Sequence, residues 1–212
     1  NTANGITQTG GALTVGLTST FATNVADDIV LTQANDFTGA VSVTTANDVS
    51  VTDINAIVLG AMTLSGTGNL SVTATAGAGD ITQSGGILTV TGTSTFATDT
   101  ASDVLLTQAN DFTGAVSVTT ANDVSVTDIN AIVLGAMTLS GTGNLSVIAT
   151  AGAGDITQNA VLTVTGTSTF ATDTASDILL TQANDFTGAV SVTTANDVSV
   201  TDINAIVLGA MT

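Results

Sequence analysis

Almost the whole chain is one block of about 75 residues written nearly three times, and such self-similarity constrains the fold more than any motif. Residues 31–72 recur without a change as 106–147, and most of that block returns as 180–211. Phe21 recurs as Phe96 and Phe170, and Phe37 as Phe112 and Phe186, the second step of each series being one residue shorter than the first. The shortfall falls where Gln83-Ser84-Gly85-Gly86-Ile87 becomes Gln158-Asn159-Ala160-Val161. A long period built from short apolar-alternating segments is the mark of stacked coils, each burying its apolar side against the next. Residues 1–212 therefore read as one continuous β-solenoid, with units at about 1–75, 76–150 and 151–212, the last incomplete. The chain starts and stops inside a repeat, as a segment of a longer array would.

Within the repeat the alternation is plain. Leu88-Thr89-Val90-Thr91, Val116-Ser117-Val118-Thr119, Val124-Ser125-Val126-Thr127 and Leu145-Ser146-Val147 place an apolar residue at every second position. One face of each segment is then buried, and Ser or Thr covers the other. Between the segments stand Asn110-Asp111, Ala121-Asn122-Asp123 and Gly141-Thr142-Gly143-Asn144, residue types that accept turn geometry and bond their own backbone. Proline is absent, and no segment has the i, i+3, i+4 apolar spacing of a helix. Apparent strand starts at Leu88, Val104, Val124, Leu145 and Leu162 mark successive coils of similar length. The expectation is an all-β, parallel β-solenoid with about four coils of about 19 residues per repeat, three longer coils of about 25 being the alternative.

Composition removes most catalytic chemistry. The chain has no Lys, Arg, His, Cys, Trp or Tyr, and all 17 acidic residues are Asp. General acid–base work commonly rests on His, Glu, Lys or Tyr. Zinc and iron–sulfur sites need Cys or His. A net charge of -17 repels a polyanion, so nucleic acid is not an expected partner. No apolar run approaches the roughly 18 residues that span a bilayer as a helix. The expectation is that the chain is not an enzyme, has no catalytic residues and spans no membrane by a helix. Glycosidase chemistry needs carboxylates converging in a cleft, and regular repeats offer no distinct long loop to build one.

The ordered phrases Gly-Asp-Ile-Thr-Gln-Ser-Gly-Gly (79–86), Leu-Thr-Val-Thr-Gly-Thr-Ser-Thr-Phe (88–96), Ala-Asn-Asp-Phe-Thr-Gly-Ala-Val-Ser-Val (109–118), Asp-Ile-Asn-Ala-Ile-Val-Leu-Gly (128–135) and Gly-Asn-Leu-Ser-Val (143–147) resemble the repeats of filamentous-haemagglutinin-like bacterial exoproteins. The resemblance covers essentially the whole chain. It implies a right-handed parallel β-helix, an extracellular or cell-surface location, and a role as adhesin or surface stalk exported through an outer-membrane partner. No binding residue carries over, because the functional regions of such proteins often lie outside the repeats. This chain departs from many members in having no basic residue, which counts against adhesion to anionic glycans by this segment.

The Asp pattern is the chief candidate for ligand chemistry. Asp103 and Asp123 each precede a strand, one coil length apart, and Asn144 follows a further coil length on. Asp28, Asp48 and Asn69 repeat the pattern, as do Asp177 and Asp197. Stacked coils would set these oxygens in columns with no cation from the chain beside them. Calcium, which takes oxygen ligands, is the expected ion at Asp28, Asp48, Asp103, Asp123, Asp177 and Asp197. The plainer reading is exposed Asp that starts a turn through its own side chain. Thr89, Thr91, Thr93 and Thr95 could form an outward rank of the kind that orders water, or simply cover a solvated strand. Asn69-Leu70-Ser71 and Asn144-Leu145-Ser146 match the glycosylation sequon at strand entrances. The function expected from sequence is a structural extracellular fibre, sheath or stalk, self-associating or continuing in the same long chain. The alternative is the shaft of an adhesin that binds a cell-surface receptor or glycan.

Overall fold

The computed structural model describes residues 5–75, 77, 79–150 and 154–212. Every regular element among them is a β-strand, 23 in all. The strands form one sheet of 12 and one of 11, and the pairings within both are parallel. The chain alternates between the sheets: Ile29–Phe37 lies in the first, Val41–Ala46 in the second and Val49–Asp53 in the first again. This is a β-solenoid of about nine turns.

The core follows from period-2 alternation. Val124–Asp128 buries Val124, Val126 and Asp128 and turns Ser125 and Thr127 towards solvent. Equivalent inward residues stack along the axis, as Val104, Val124 and Leu145 do in the second sheet. Phe96 and Phe112 meet edge to face with centroids 6.4 Å apart, and Phe170 and Phe186 repeat the contact at 6.4 Å. Burying one such ring removes enough apolar surface from water to contribute roughly 1.5–3 kcal/mol.

The coil count differs from the sequence expectation. Register steps are uneven, from the short one that sets Val116 beside Leu134 to the long one that sets Met62 beside Leu88. Leu145 is followed on its column by Ser168, not Leu162, and Val104 is preceded by Ile81, not Leu88. The reason is a bent strand. Val104–Phe112 pairs at its start with Ile81–Gln83 and at its end with Leu88–Val90. Two short strands therefore occupy one side of one coil, and counting each apolar start as a coil overcounts. Ser94–Ala97 lies in the first sheet, whereas its copies Ser19–Ala22 and Ser168–Ala171 lie in the second. A repeat thus holds three and a half coils, not four.

The same register breaks up the threonine rank. Thr89 belongs to a strand of the second sheet and Thr95 to a strand of the first, with Gly92 at the corner between them. That corner is tight: Gly92 donates its N–H to Gly68 O at 2.9 Å, and a Cβ on Gly114 would run into the carbonyl of Gly92. One buried position is imperfect in all three copies of the repeat. Ser94 sits between Leu70 and Val116, is 0% exposed, and its hydroxyl has no partner; buried Ser19 and Ser168 repeat this. A buried hydroxyl left unbonded is unfavourable. Ser94→Ala is expected to raise stability by about 1 kcal/mol. A thermal melt showing a loss instead would mean that the hydroxyl has a water partner.

Candidate functional site

Two polar arrays recur with the repeat, one at the surface and one inside. The surface array contains the Asp residues singled out from sequence. Asp28 Oδ1 accepts the main-chain N–H of Asp48 (3.1 Å) and the side-chain amide of Asn47 (3.0 Å). Asp48 Oδ1 accepts the N–H (2.8 Å) and amide (3.1 Å) of Asn69. Asn69 Oδ1 then accepts the N–H (2.9 Å) and hydroxyl (2.8 Å) of Thr93. The second copy runs from Asp103 through Asp123 (2.9 Å) and Asn144 (2.8 Å) to Thr167 (2.9 Å). The third sets Asp177 under Asp197 at 3.1 Å.

The expected columns therefore form, in the expected register. Their geometry is that of a ladder in which a side-chain oxygen on one coil takes the N–H at the strand entrance of the next. The sequence reading missed their first rungs: Asp80 accepts the N–H of Asp103 (2.9 Å) and Asp155 that of Asp177 (2.8 Å). Both stand directly before a strand, at Ile81 and Ile156, so the same signal was available. Among the described residues, no three carboxylates gather around one point as a metal site would need. Removing one rung frees a strand-entrance N–H. Asp123→Ala is expected to cost about 1 kcal/mol in a denaturant titration.

The inner array was not expected at all. Asn110 is 0% exposed and lies where Val104–Phe112 bends. Its Oδ1 accepts the amide of Gln83 (2.7 Å) and the N–H of Leu88 (2.9 Å). Its Nδ2 donates to Gln83 Oε1 (3.2 Å) and to the carbonyls of Leu106 (3.2 Å), Gln108 (3.0 Å) and Thr127 (3.1 Å). Gln83 and Asn110 are thus paired amide to amide across neighbouring coils. Asn35 with Gln8 and Asn184 with Gln158 repeat the arrangement. Beside Asn110 on the next coil is Asp128, also 0% exposed. Its Oδ2 accepts the N–H of Phe112 (2.8 Å) and its Oδ1 the N–H of Asn130 (2.9 Å).

Burial pushes the Asp128 carboxyl up to about 6, with the nearby Asp111 charge adding to the effect and the N–H donors opposing it. Asp53, its copy, is raised for the same reasons, with Asp36 as the neighbouring charge. Parity could have located these residues. Asp128 is two residues beyond inward Val126, and Asn110 is two before inward Phe112, so alternation turns both inward. The chain supplies no Cys, His or Lys near either array, since it contains none. The arrays bond main-chain groups of successive coils; neither sets a nucleophile against a base.

Parallel coils tied by side-chain ladders at the edge and amide pairs at the bends define a tandem-repeat β-solenoid. The chain belongs to the family described as Repeats of unknown function (DUF5649), which it matches at residues 1–44, 46–119 and 121–193. The second and third matched units begin one period apart, the period read from the sequence. The chain is also similar to Outer membrane protein A of Rickettsia rickettsii, at 36% identity over 190 residues. That alignment covers 87% of this chain and 8% of the rickettsial protein, so the chain spans only a small part of its relative's length. No solved structure matches it.

Proposed function

We propose that this chain is a segment of the shaft of a bacterial surface protein, with a mechanical and not a catalytic role. The observation that carries this is that both polar arrays join one coil to the next. The ladder through Asp103, Asp123 and Asn144, and the bend through Gln83, Asn110 and Asp128, direct their hydrogen bonds along the rod axis. The similarity to a bacterial protein named for the outer membrane supports a cell-surface location. A net charge of -17 with no cation supports a rod kept apart from its neighbours by repulsion. Among the described residues no helix is long and apolar enough to cross a membrane.

The finer assignment is an exported adhesin shaft of the filamentous-haemagglutinin type, holding binding regions away from the cell. Electron microscopy of the full-length protein in its native material tests the reading. A filament with an axial spacing near about 4.8 Å, shortened by about 17 Å for each deleted repeat, supports it. A compact particle whose length ignores repeat number would end it. Calcium at Asp28, Asp48, Asp103, Asp123, Asp177 and Asp197 is a separate proposal, resting on their uncompensated charge. Calorimetric titration decides it, and no heat at millimolar calcium would discard it.

A further inference from the structure

The repeat contains an odd number of half-turns, so successive copies of it face opposite ways. Val49–Asp53 lies in the 12-stranded sheet, its copy Val124–Asp128 in the 11-stranded sheet, and the third copy Val198–Asp202 in the 12-stranded sheet again. Ser50, Ser125 and Ser199 alternate outward with the inward valines of these strands. Identical surface is therefore presented in opposite directions by successive repeats. The edge ladders follow the same rule. Along the 12-stranded sheet the strand entrances run Asp28, Asp48, Asn69, Thr93, Ala115 and Ala131 before carboxylates resume at Asp155 and Asp177. The intervening carboxylates, Asp80, Asp103 and Asp123, lie on the entrances of the other sheet.

We infer that an array of these repeats is a two-sided filament, in which each repeat is turned half a revolution from the one before. A partner that recognises the surface of one repeat is then held once per repeat, alternately on opposite sides. This deepens the shaft reading and rests on it for its biological meaning. The arrangement also has an electrostatic logic. If the repeat held a whole number of coils, its carboxylate runs would share one edge. Half a turn more places successive runs on opposite edges, where greater separation and screening by the surrounding salt solution weaken their repulsion.

The chain has no native cysteine, so spin labels can be placed at will. The test uses the pairs Ser50→Cys with Ser125→Cys, Ser125→Cys with Ser199→Cys, and Ser50→Cys with Ser199→Cys, read by pulsed electron paramagnetic resonance. Ser50 and Ser199 are joined by seven coil steps in one sheet, about 34 Å at about 4.8 Å per coil. The other two pairs cross the rod, with about 17 Å along the axis and the thickness of two sheets across it, so each should exceed about 20 Å. The expected result is a triangle, the two shorter distances summing well beyond the third. Three collinear positions, with the two distances adding to the third, would overturn the inference. If a label disturbs these strands, Thr20, Thr95 and Thr169 provide a second trio with the outer pair on the other sheet. These distances report only coil register. Failure of the shaft reading would appear instead as the absence of filaments.

Discussion

Asn110→Ala is expected to cost about 3–5 kcal/mol, far more than truncating a surface amide. The side chain is wholly buried and bonds Gln83, Leu88, Leu106, Gln108 and Thr127. Removing it leaves the buried Leu88 N–H without its partner and the Gln83 amide with only its bonds to Gly86 O and the Gln108 N–H. Each such group costs about 1–3 kcal/mol. Asn110→Asp would not rescue it. A carboxylate can accept from Leu88 and Gln83, but it cannot donate to the Leu106 and Thr127 carbonyls, and it would stand beside buried Asp128. Repeat proteins unfold by neighbouring units, so the loss should be local. Hydrogen exchange should accelerate in Ile81–Gln83, Leu88–Val90 and Val104–Phe112 and leave Ile178–Phe186 unchanged. A uniform effect along the chain, or one below about 1 kcal/mol, would contradict the bend's role.

Stability is expected to rise on acidification from neutral pH towards the ordinary carboxylate range, opposite to the usual behaviour of salt-bridged acidic proteins. In the folded chain Asp128 titrates at about 6, against an ordinary value of 3.8. Between those values the folded state holds the proton and the unfolded state does not, so stability falls as pH rises through that window. Full stabilisation is reached near pH 4 and is lost above about pH 6. One pKa unit corresponds to about 1.4 kcal/mol, so Asp128 alone contributes about 1–3 kcal/mol. Asp53 acts in the same direction. Melting temperatures taken from about pH 4 to about pH 8 would show the slope. Asp128→Asn should flatten it because an amide does not titrate, and it should lose one of the bonds from Phe112 and Asn130 because its Nδ2 cannot accept. Relief of general charge repulsion has the same sign but is screened by salt, whereas the burial of Asp128 is not. A slope abolished by salt at about 0.5 M would therefore reject the buried-carboxylate explanation.

The edge ladder was legible because its signal is local. Asp103, Asp123 and Asn144 each precede an alternating segment, and in a parallel stack equivalent strand entrances fall one above another. Asp80 and Asp155 carry the same mark. The bend was not legible in this way. Leu-Thr-Gln-Ala-Asn-Asp-Phe looks like a polar interruption between strands, and Asn and Asp ordinarily signal a turn. In the folded chain these residues lie within the single strand Val104–Phe112, and Asn110 is held inward by partners that include Gln83 on the preceding coil and Thr127 on the following one. Parity with Phe112 turns Asn110 inward, but the hydrogen bonds from neighbouring coils that make its burial tolerable have no local signature.

By itself the sequence determined a parallel all-β solenoid, its repeat period and the inward-facing residues of most strands, and it pointed to the edge ladder, whose register the structure supplies. These follow from alternation and near-identity of repeats, which act over a few residues or over a whole period. The tertiary structure decided how the period is cut into coils, and with it the side of the rod on which each copy appears. Alternation distinguishes inside from outside, but it reads the same for one bent strand as for two short ones. Only the pairing of Ile81–Gln83 and Leu88–Val90 against the single strand Val104–Phe112 fixes three and a half coils per repeat, because pairing joins residues a whole coil apart that no local pattern connects.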